Sequence, residues 1–183
     1  MPLLSLWGRC LLIFGQQVGR KDFNMSQENI LGFYGHDHDV LDNYFKEFQT
    51  LKNQDYARAR ASFRAFKFGL QRHILWEDQI LFPVFETRTG MKDRGPTAVM
   101  RQEHILIKEA LEALHQKVRR NDPDSGNEEE ALIDLLSRHN QKEEGVLYPA
   151  IDQLMTAEEK KSLFKQMQDV PKEEYASCGC KHH

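Results

Sequence analysis

Two stretches of the chain carry a histidine and a glutamate at the same spacing. Residues 73–83 read HILWEDQILFP and residues 139–149 read HNQKEEGVLYP, so His73 precedes Glu77 and His139 precedes Glu143 by four positions. Side chains four residues apart on an α-helix lie on one face, one turn apart. Each stretch therefore predicts an imidazole and a carboxylate that point the same way, which is a donor set that metal ions use.

Two further histidines complete a repeat. His38 lies 35 residues before His73, and His104 lies 35 residues before His139, so a shift of 66 residues maps one half of the chain onto the other. Each half reads as a helical hairpin that supplies two histidines and one glutamate. Packed about a pseudo-twofold axis, the two halves predict six ligands around one centre. The expected metal ligands are His38, His73, Glu77, His104, His139 and Glu143.

This set of side chains indicates a pair of metal ions. Burying carboxylates and imidazoles without partners is heavily penalised, since an unpaired buried charge costs several kcal/mol. Two cations remove the penalty, because the carboxylates can bridge both ions while the imidazoles complete each one. Nitrogen and oxygen donors without thiolate favour iron or manganese, with zinc as a substitute. Room remains for a bridging oxygen and for an open position where dioxygen, nitric oxide or peroxide would bind.

Helical periodicity extends through almost all of the chain after Met25. Four segments place apolar residues at three- and four-residue steps, and the apolar stripe of each carries one of the four histidines. Breaks are expected at residues 53–55, at residues 95–96 and in the loop NDPDSGN at residues 121–127. The pattern predicts an all-α fold, namely an antiparallel up-down-up-down four-helix bundle with a short fifth C-terminal helix.

Capping signals locate the last two helices. Asn127 is the expected N-cap of the fourth helix, with Glu130 in the capping-box position. Thr156 forms a second box with Glu159, and the fifth helix should end before Pro171. Its apolar residues either cover the bundle or mediate a dimer, so a monomer and a homodimer are both open.

Polar neighbours of the expected ligands have alternative roles. His36 competes with His38 for the first ligand position, although it lies on another face of the helix. Asp78 and Glu144, next to the two glutamates, either face water or orient a histidine. His115 has no counterpart in the repeat and is expected at the surface.

Aromatic residues and prolines near the site are expected to serve mainly the fold. Tyr34, one turn before His38, is a candidate hydrogen-bond partner near the metals. Pro83 and Pro149 are expected to kink or end their helices. Three aromatic side chains are expected to contribute packing, namely Trp76, Phe82 and Tyr148.

The composition fits one soluble globular domain and excludes several functions. The 183 residues include 25 Lys and Arg against 28 Asp and Glu, with no basic stripe, so nucleic acid is not an expected partner. The N-terminal apolar run is too short to span a bilayer, so no membrane association is expected. Three cysteines make no disulfide framework, which favours a reducing, cytoplasmic compartment.

Both ends of the chain are set apart from the domain expected at residues 25–170. Residues 1–24 are expected to be a mis-assigned extension ahead of a natural start at Met25, or a weak leader. Residues 171–183 are expected to form a flexible tail. Within it, Cys178 and Cys180 lie beside two histidines and either bind a soft metal, carry out thiol chemistry or have no role.

At the doubled motif the sequence resembles the hemerythrin-like (HHE cation-binding) family. The motif HxxxE[DE]xxL[FY]P occurs twice, and the resemblance covers roughly residues 30–152. It implies a non-haem di-iron centre with an oxo or hydroxo bridge, in which Glu77 and Glu143 bridge the irons. The histidines that hold these irons would be His38, His73, His104 and His139.

Two positions depart from the oxygen-carrying hemerythrins. Those proteins have a second histidine one turn after the third-helix histidine, where this chain has Lys108. They also have an aspartate five residues after the last histidine, where this chain has Glu143 at four. The symmetric set of four histidines and two acids looks more like the iron-centre repair proteins than like an oxygen carrier.

The expected function is therefore a di-iron protein that binds or reacts with dioxygen, nitric oxide or peroxide, in sensing, scavenging or stress response. The alternative is a di-iron enzyme or an iron donor in the repair of damaged iron–sulfur centres. The sequence identifies no electron donor and no catalytic residue, and it leaves catalytic turnover open.

Overall fold

A computed structural model describes residues 29–176, and every regular element in that range is helical. The all-helical prediction is confirmed. The four long helices are α1 (Ile30–Leu51), α2 (Tyr56–Trp76), α4 (Pro96–Arg119) and α5 (Gly126–Lys142). The short ones are α3 (Phe82–Thr89), α6 (Tyr148–Leu154), α7 (Ala157–Asp169) and α8 (Lys172–Ala176).

Three helices begin where the capping signals predicted. Asp55 accepts a hydrogen bond from the backbone N–H of Arg58 and so caps α2. Helix α4 begins at Pro96, whose missing N–H costs nothing in a first helical turn. Thr156 and Glu159 form the expected reciprocal capping box of α7.

The predicted start of the fourth helix is wrong. Helix α5 begins at Gly126, with Ser125 rather than Asn127 in the N-cap position. The hydroxyl of Ser125 donates a hydrogen bond of 2.5 Å to the buried carboxylate of Glu129, which also pairs at 2.6 Å with Lys52, the residue that follows α1. This tertiary contact between distant parts of the chain holds the first turn, so it overrides the local capping signal.

The two motif prolines interrupt their helices without ending them. A π-helical turn at Glu77–Leu81 joins α2 to α3, and an equivalent turn at Glu143–Leu147 joins α5 to α6. Pro83 and Pro149 each follow the π turn as the second residue of the next helix. Proline has no N–H to donate, and the wider turn accommodates the lost hydrogen bond, so the chain continues past it.

The long helices associate as two antiparallel pairs. Along α1 and α2 the ring contacts run in opposite directions, from Phe48 against Phe63 at 5.2 Å to Phe33 against Trp76 at 6.0 Å. In the second pair, Lys117 near the end of α4 lies 3.9 Å from Glu128 near the start of α5, while Glu103 of α4 pairs with Lys142 at the end of α5.

The core consists of two apolar clusters, and the histidines of α1 and α4 lie between them along their helices. Tyr34 of α1 belongs to one cluster and Leu41 to the other, with His38 between them. Met100 and Ile107 of α4 flank His104 in the same way. The polar side chains are therefore sandwiched between two apolar layers that exclude water.

The C-terminal helices cover one end of this core. Phe164 of α7 stacks on Phe33 at 4.6 Å, and Leu163 and Met167 are also buried. Helix α8 occupies residues 172–176, where the sequence predicted the beginning of a flexible tail, and its Tyr175 is only 6% exposed. The expected N-terminal extension, Cys178 and Cys180 lie outside the described residues. No helix within residues 29–176 has the length and apolar character needed to cross a membrane.

Asp152 of α6 ties the start of α1 to this end of the molecule. Its carboxylate accepts the backbone N–H groups of Ile30 at 2.8 Å and Leu31 at 3.1 Å and pairs with Lys160 at 2.8 Å. We expect Asp152→Ala to lower the free energy of unfolding by about 1–2 kcal/mol, because two N-terminal donors of α1 lose their acceptor. Urea unfolding followed by circular dichroism measures the change.

Asp134→Ala is the control for this prediction. Asp134 forms an exposed pair with Arg138 one turn away on α5, and such pairs contribute little. We expect no measurable change in the urea midpoint. An equal effect of both substitutions would show that Asp152 acts as an ordinary surface charge.

Candidate metal centre

All six expected ligands are buried at one level of the molecule. The exposed fraction is 0% for Glu77 and Glu143 and at most 7% for any of the four histidines. Two groups of donor atoms lie close enough to share a cation. One group is Glu77, His104, His139 and Glu143, and the other is His38, His73 and Glu143.

The inward-facing ring nitrogens lie close to the carboxylates and to each other. His104 Nε2 is 3.2 Å from Glu77 Oε2, and His139 Nε2 is 3.0 Å from Glu143 Oε1. His38 Nε2 and His73 Nε2 are 3.1 Å apart. The six side chains, from the four long helices and the two π turns, therefore lie close enough together to surround bound metal ions.

Each histidine is held by a carboxylate on its other ring nitrogen. His38 Nδ1 bonds Glu144 at 2.6 Å, and His73 Nδ1 bonds Asp37 at 2.9 Å. His104 Nδ1 bonds Asp78 at 2.9 Å, and His139 Nδ1 bonds Glu103 at 3.0 Å. A neutral imidazole that donates from Nδ1 has its lone pair on Nε2. The outer acids thus aim four lone pairs into the centre, as in metal sites generally.

These outer acids also obey the 66-residue repeat. Asp37 corresponds to Glu103, and Asp78 corresponds to Glu144. Of the two roles considered for Asp78 and Glu144, the structure shows the contact with a histidine. Sequence reasoning missed Asp37 and Glu103, although an acid directly precedes the first histidine of each half, at Asp37-His38 and Glu103-His104.

Three inward-facing atoms have no hydrogen-bond partner. Glu77 Oε2, His104 Nε2 and Glu143 Oε1 are buried and unsatisfied, even though they lie near one another. Two acceptors that face each other cannot form a hydrogen bond, and an unsatisfied buried polar atom costs about 1–3 kcal/mol. A cation between them would satisfy all three, so the donor set fits a pair of metal ions.

Tyr148 connects the two carboxylates and is more than packing. Its buried hydroxyl lies 2.6 Å from Glu77 Oε1 and 2.9 Å from Glu143 Oε2. Tyr34 stacks on Tyr148 at 4.8 Å and contacts the ring of His73 edge-on at 5.0 Å. The hydroxyl of Tyr34 is directed to Met167 Sδ at 3.9 Å, so Tyr34 supports the site by packing rather than by hydrogen bonding to it.

The pKa values of the two glutamates shift in opposite directions. Burial raises the pKa of Glu143, but contact with His139 and the charges of the nearby imidazoles outweigh burial and lower it to about 2. Burial raises the pKa of Glu77 well above its ordinary value, and the charge of Glu143 raises it further. Two carboxylates this close do not both ionise without nearby positive charge, which is what bound cations supply.

A narrow cleft leads to one side of the centre. His38, His73 and His139 line it, together with Asp42 and Asn140. It has space for about one water molecule.

The remaining candidates lie away from the centre. His36 is exposed and belongs to neither donor group. His115 is partly buried at a distance from the site, where it contacts Lys67 at 2.7 Å and Glu112 at 3.1 Å. Lys108 is largely exposed, and its ammonium lies 3.5 Å from Asp78 rather than at the inward-facing atoms.

A comparison with known families agrees with this geometry. The family model of the hemerythrin HHE cation binding domain matches residues 29–151, a range that contains all six expected ligands and the four acids that hold the histidines. No curated protein and no solved structure gives a significant match. The chain therefore belongs to the hemerythrin HHE cation-binding domain family.

Proposed function

We propose that this protein binds two iron ions between its four long helices and uses them to bind or react with dioxygen, nitric oxide or peroxide. The helices would form an antiparallel up-down-up-down bundle, with Glu77 and Glu143 bridging the irons. The observation that carries the proposal is the cluster of buried donor atoms without partners, at Glu77 Oε2, His104 Nε2 and Glu143 Oε1. Bound iron would supply Lewis acidity and redox chemistry at this position.

The protein's own residues would control this chemistry in three ways. The outer acids hold the imidazoles in the tautomer that presents Nε2 to the metals. Tyr148 keeps the two carboxylates side by side and holds a proton next to them. The apolar layers on both sides exclude bulk water, which strengthens the electrostatic interactions inside the site.

The ligand set favours reactivity over simple oxygen transport. Lys108 occupies the slot of the additional histidine in oxygen carriers, and its side chain pairs with Asp78 instead of facing the centre. The proposed ligand set is therefore four histidines and two carboxylates, with no contribution from Lys108. The alternative function is a di-iron enzyme or an iron donor in the repair of iron–sulfur centres, which the same symmetric set favours.

The direct test is anaerobic loading with ferrous iron, followed by optical spectra on addition of dioxygen, nitric oxide or peroxide. We expect a nitric oxide adduct and oxidation by dioxygen or peroxide to an oxo-bridged diferric form. A stable, reversible dioxygen adduct would instead indicate a carrier or sensor. If none of the three reagents changes the spectrum of the loaded protein, the proposed function is wrong.

Glu143 should be the most sensitive ligand, because it belongs to both donor groups. We expect Glu143→Ala to reduce iron from two ions per chain to less than one after gel filtration. His36→Ala is the control and should retain two, since His36 is exposed and outside both groups. Iron analysis by atomic absorption measures both proteins, and unchanged loading of Glu143→Ala would refute the ligand assignment.

Glu77→Gln should separate metal binding from stability. Without bound cations, Glu77 Oε2 is a buried acceptor without a partner beside a second carboxylate. Burial and Glu143 raise the pKa of Glu77, so its charged form is unfavourable in the fold without metal, whereas the amide is neutral at every pH. We therefore expect the chain without metal to gain about 1 kcal/mol in free energy of unfolding. With iron present, the wild type should be the more stable protein. Urea titrations with and without iron would disprove this if the wild type were more stable in both.

A further inference from the structure

The two halves of the repeat surround their histidines with opposite charges. Beside His104, Asp78 is flanked by Arg101 at 3.2 Å and by Lys108 at 3.5 Å. A shift of 66 residues places Gly35 in the slot of Arg101 and Asp42 in the slot of Lys108. The ligands are symmetric, but the charges around them are not.

Glu144, which holds His38, lacks the cations that its counterpart has. Among residues 29–176, no lysine or arginine lies within 4.0 Å of its carboxylate. The side chain of Glu144 is 43% exposed, compared with 22% for Asp78. The nearest cation to Asp42 is Lys46 at 3.6 Å, in an exposed pair that contributes little. This side of the site is therefore open and acidic.

Gly35 has no side chain that could cover Glu144 as Arg101 covers Asp78, so this half of the site has open space that the other half lacks. A Cβ atom built on Gly35 would meet no other atom within 4 Å, and the same is true of Gly145 beside Glu144. In the other half, Arg101 donates to the backbone carbonyl of Asp78 at 2.8 Å and covers that corner. The cleft beside His38 and His73 is lined by Asp42, one helical turn after His38, and Lys108 stands in the place of Asp42 in the other half.

The two donor groups also differ between the same two halves of the site. The group around His104 and His139 offers four donors, whereas the group around His38 and His73 offers three, one of which is shared. Glu77 would therefore bind a cation at His38 and His73 less closely than one at His104 and His139, and a cation that is held less closely is easier to remove. The exposed carboxylates of Glu144 and Asp42 attract cations to this side of the site, while Arg101 and Lys108 repel them from the other side.

We propose that the metal position at His38 and His73 is the exchangeable one, and that cations enter and leave it past Glu144 and Asp42. The position at His104 and His139 retains its ion. This inference rests on the proposed dinuclear function and specifies which half of the site loads last and unloads first.

The test is the release of ferrous iron from the fully loaded full-length protein into an excess of a ferrous chelator, measured anaerobically by absorbance. We expect two phases of one ion each. Glu144→Gln should accelerate the fast phase about tenfold, because an acid that orients a metal-binding histidine contributes at least that factor to affinity. Asp78→Asn is the matched variant of the other half and should accelerate the slow phase instead.

Substitutions at Asp42 and at its counterpart Lys108 test separately whether the charge beside each metal position controls the rate of cation exchange. We expect Asp42→Lys to slow both entry and release in the fast phase about two- to fivefold, the size of an exposed charge interaction. Lys108→Asp should speed the slow phase by a similar factor. Gly35→Arg should slow the fast phase by covering Glu144, with Gly35→Ala as the control for the change in helix propensity.

Failure of this inference is distinguishable from failure of the proposed function. If the protein does not load two ions, the dinuclear proposal is wrong and the release experiment does not begin. If two ions load but leave at one rate, the inference alone is overturned. It is also overturned if Glu144→Gln acts on the slow phase or Asp78→Asn acts on the fast phase.

Discussion

The constraint on which the rest of the structure depends is the set of buried hydrogen-bond acceptors that face one another at its centre. Four carboxylates hold the Nδ1 atoms of the histidines, so the rings cannot turn their Nε2 lone pairs away from each other. Two further carboxylates face the same point from Glu77 and Glu143. Hydrogen bonds among these atoms satisfy only part of the set. Cations are the partners that this arrangement requires.

The fold supports this unfavourable centre with apolar surface on both sides. Helices α1, α2 and α4 each contribute to both apolar clusters, whereas α5 contributes to one cluster and its continuation α6 to the other. Burial of apolar surface stabilises the packed helices, and this stabilisation offsets the free-energy cost of burying the polar layer. The π turns place Glu77 and Glu143 at the junction where helix geometry changes. Such turns are common at functional sites, where a locally weaker helix positions a reactive group.

Duplication with divergence explains how a symmetric ligand set gives an asymmetric site. The ligands and the acids behind them are preserved between the halves, because each half must supply the same donors. The positions around them differ, with Phe82 against Tyr148 and Gly35 against Arg101. The hydroxyl of Tyr148 therefore lies between Glu77 and Glu143 without a counterpart from Phe82, and Arg101 covers Asp78 while no arginine covers Glu144.

The sequence alone determined the four long helical segments, the breaks near residues 53–55 and 95–96, and the six side chains that meet at the centre. Helical periodicity and the 66-residue shift are properties of one dimension, so they can be read without coordinates. Only the tertiary structure decided which acid holds which histidine, as with Asp37 and His73, which are 36 residues apart. It also decided the start of α5, where Lys52 at the distant end of α1 pairs with Glu129. These features depend on distances of a few ångströms between helices, and spacing along the chain does not encode how two helices are rotated and shifted against each other.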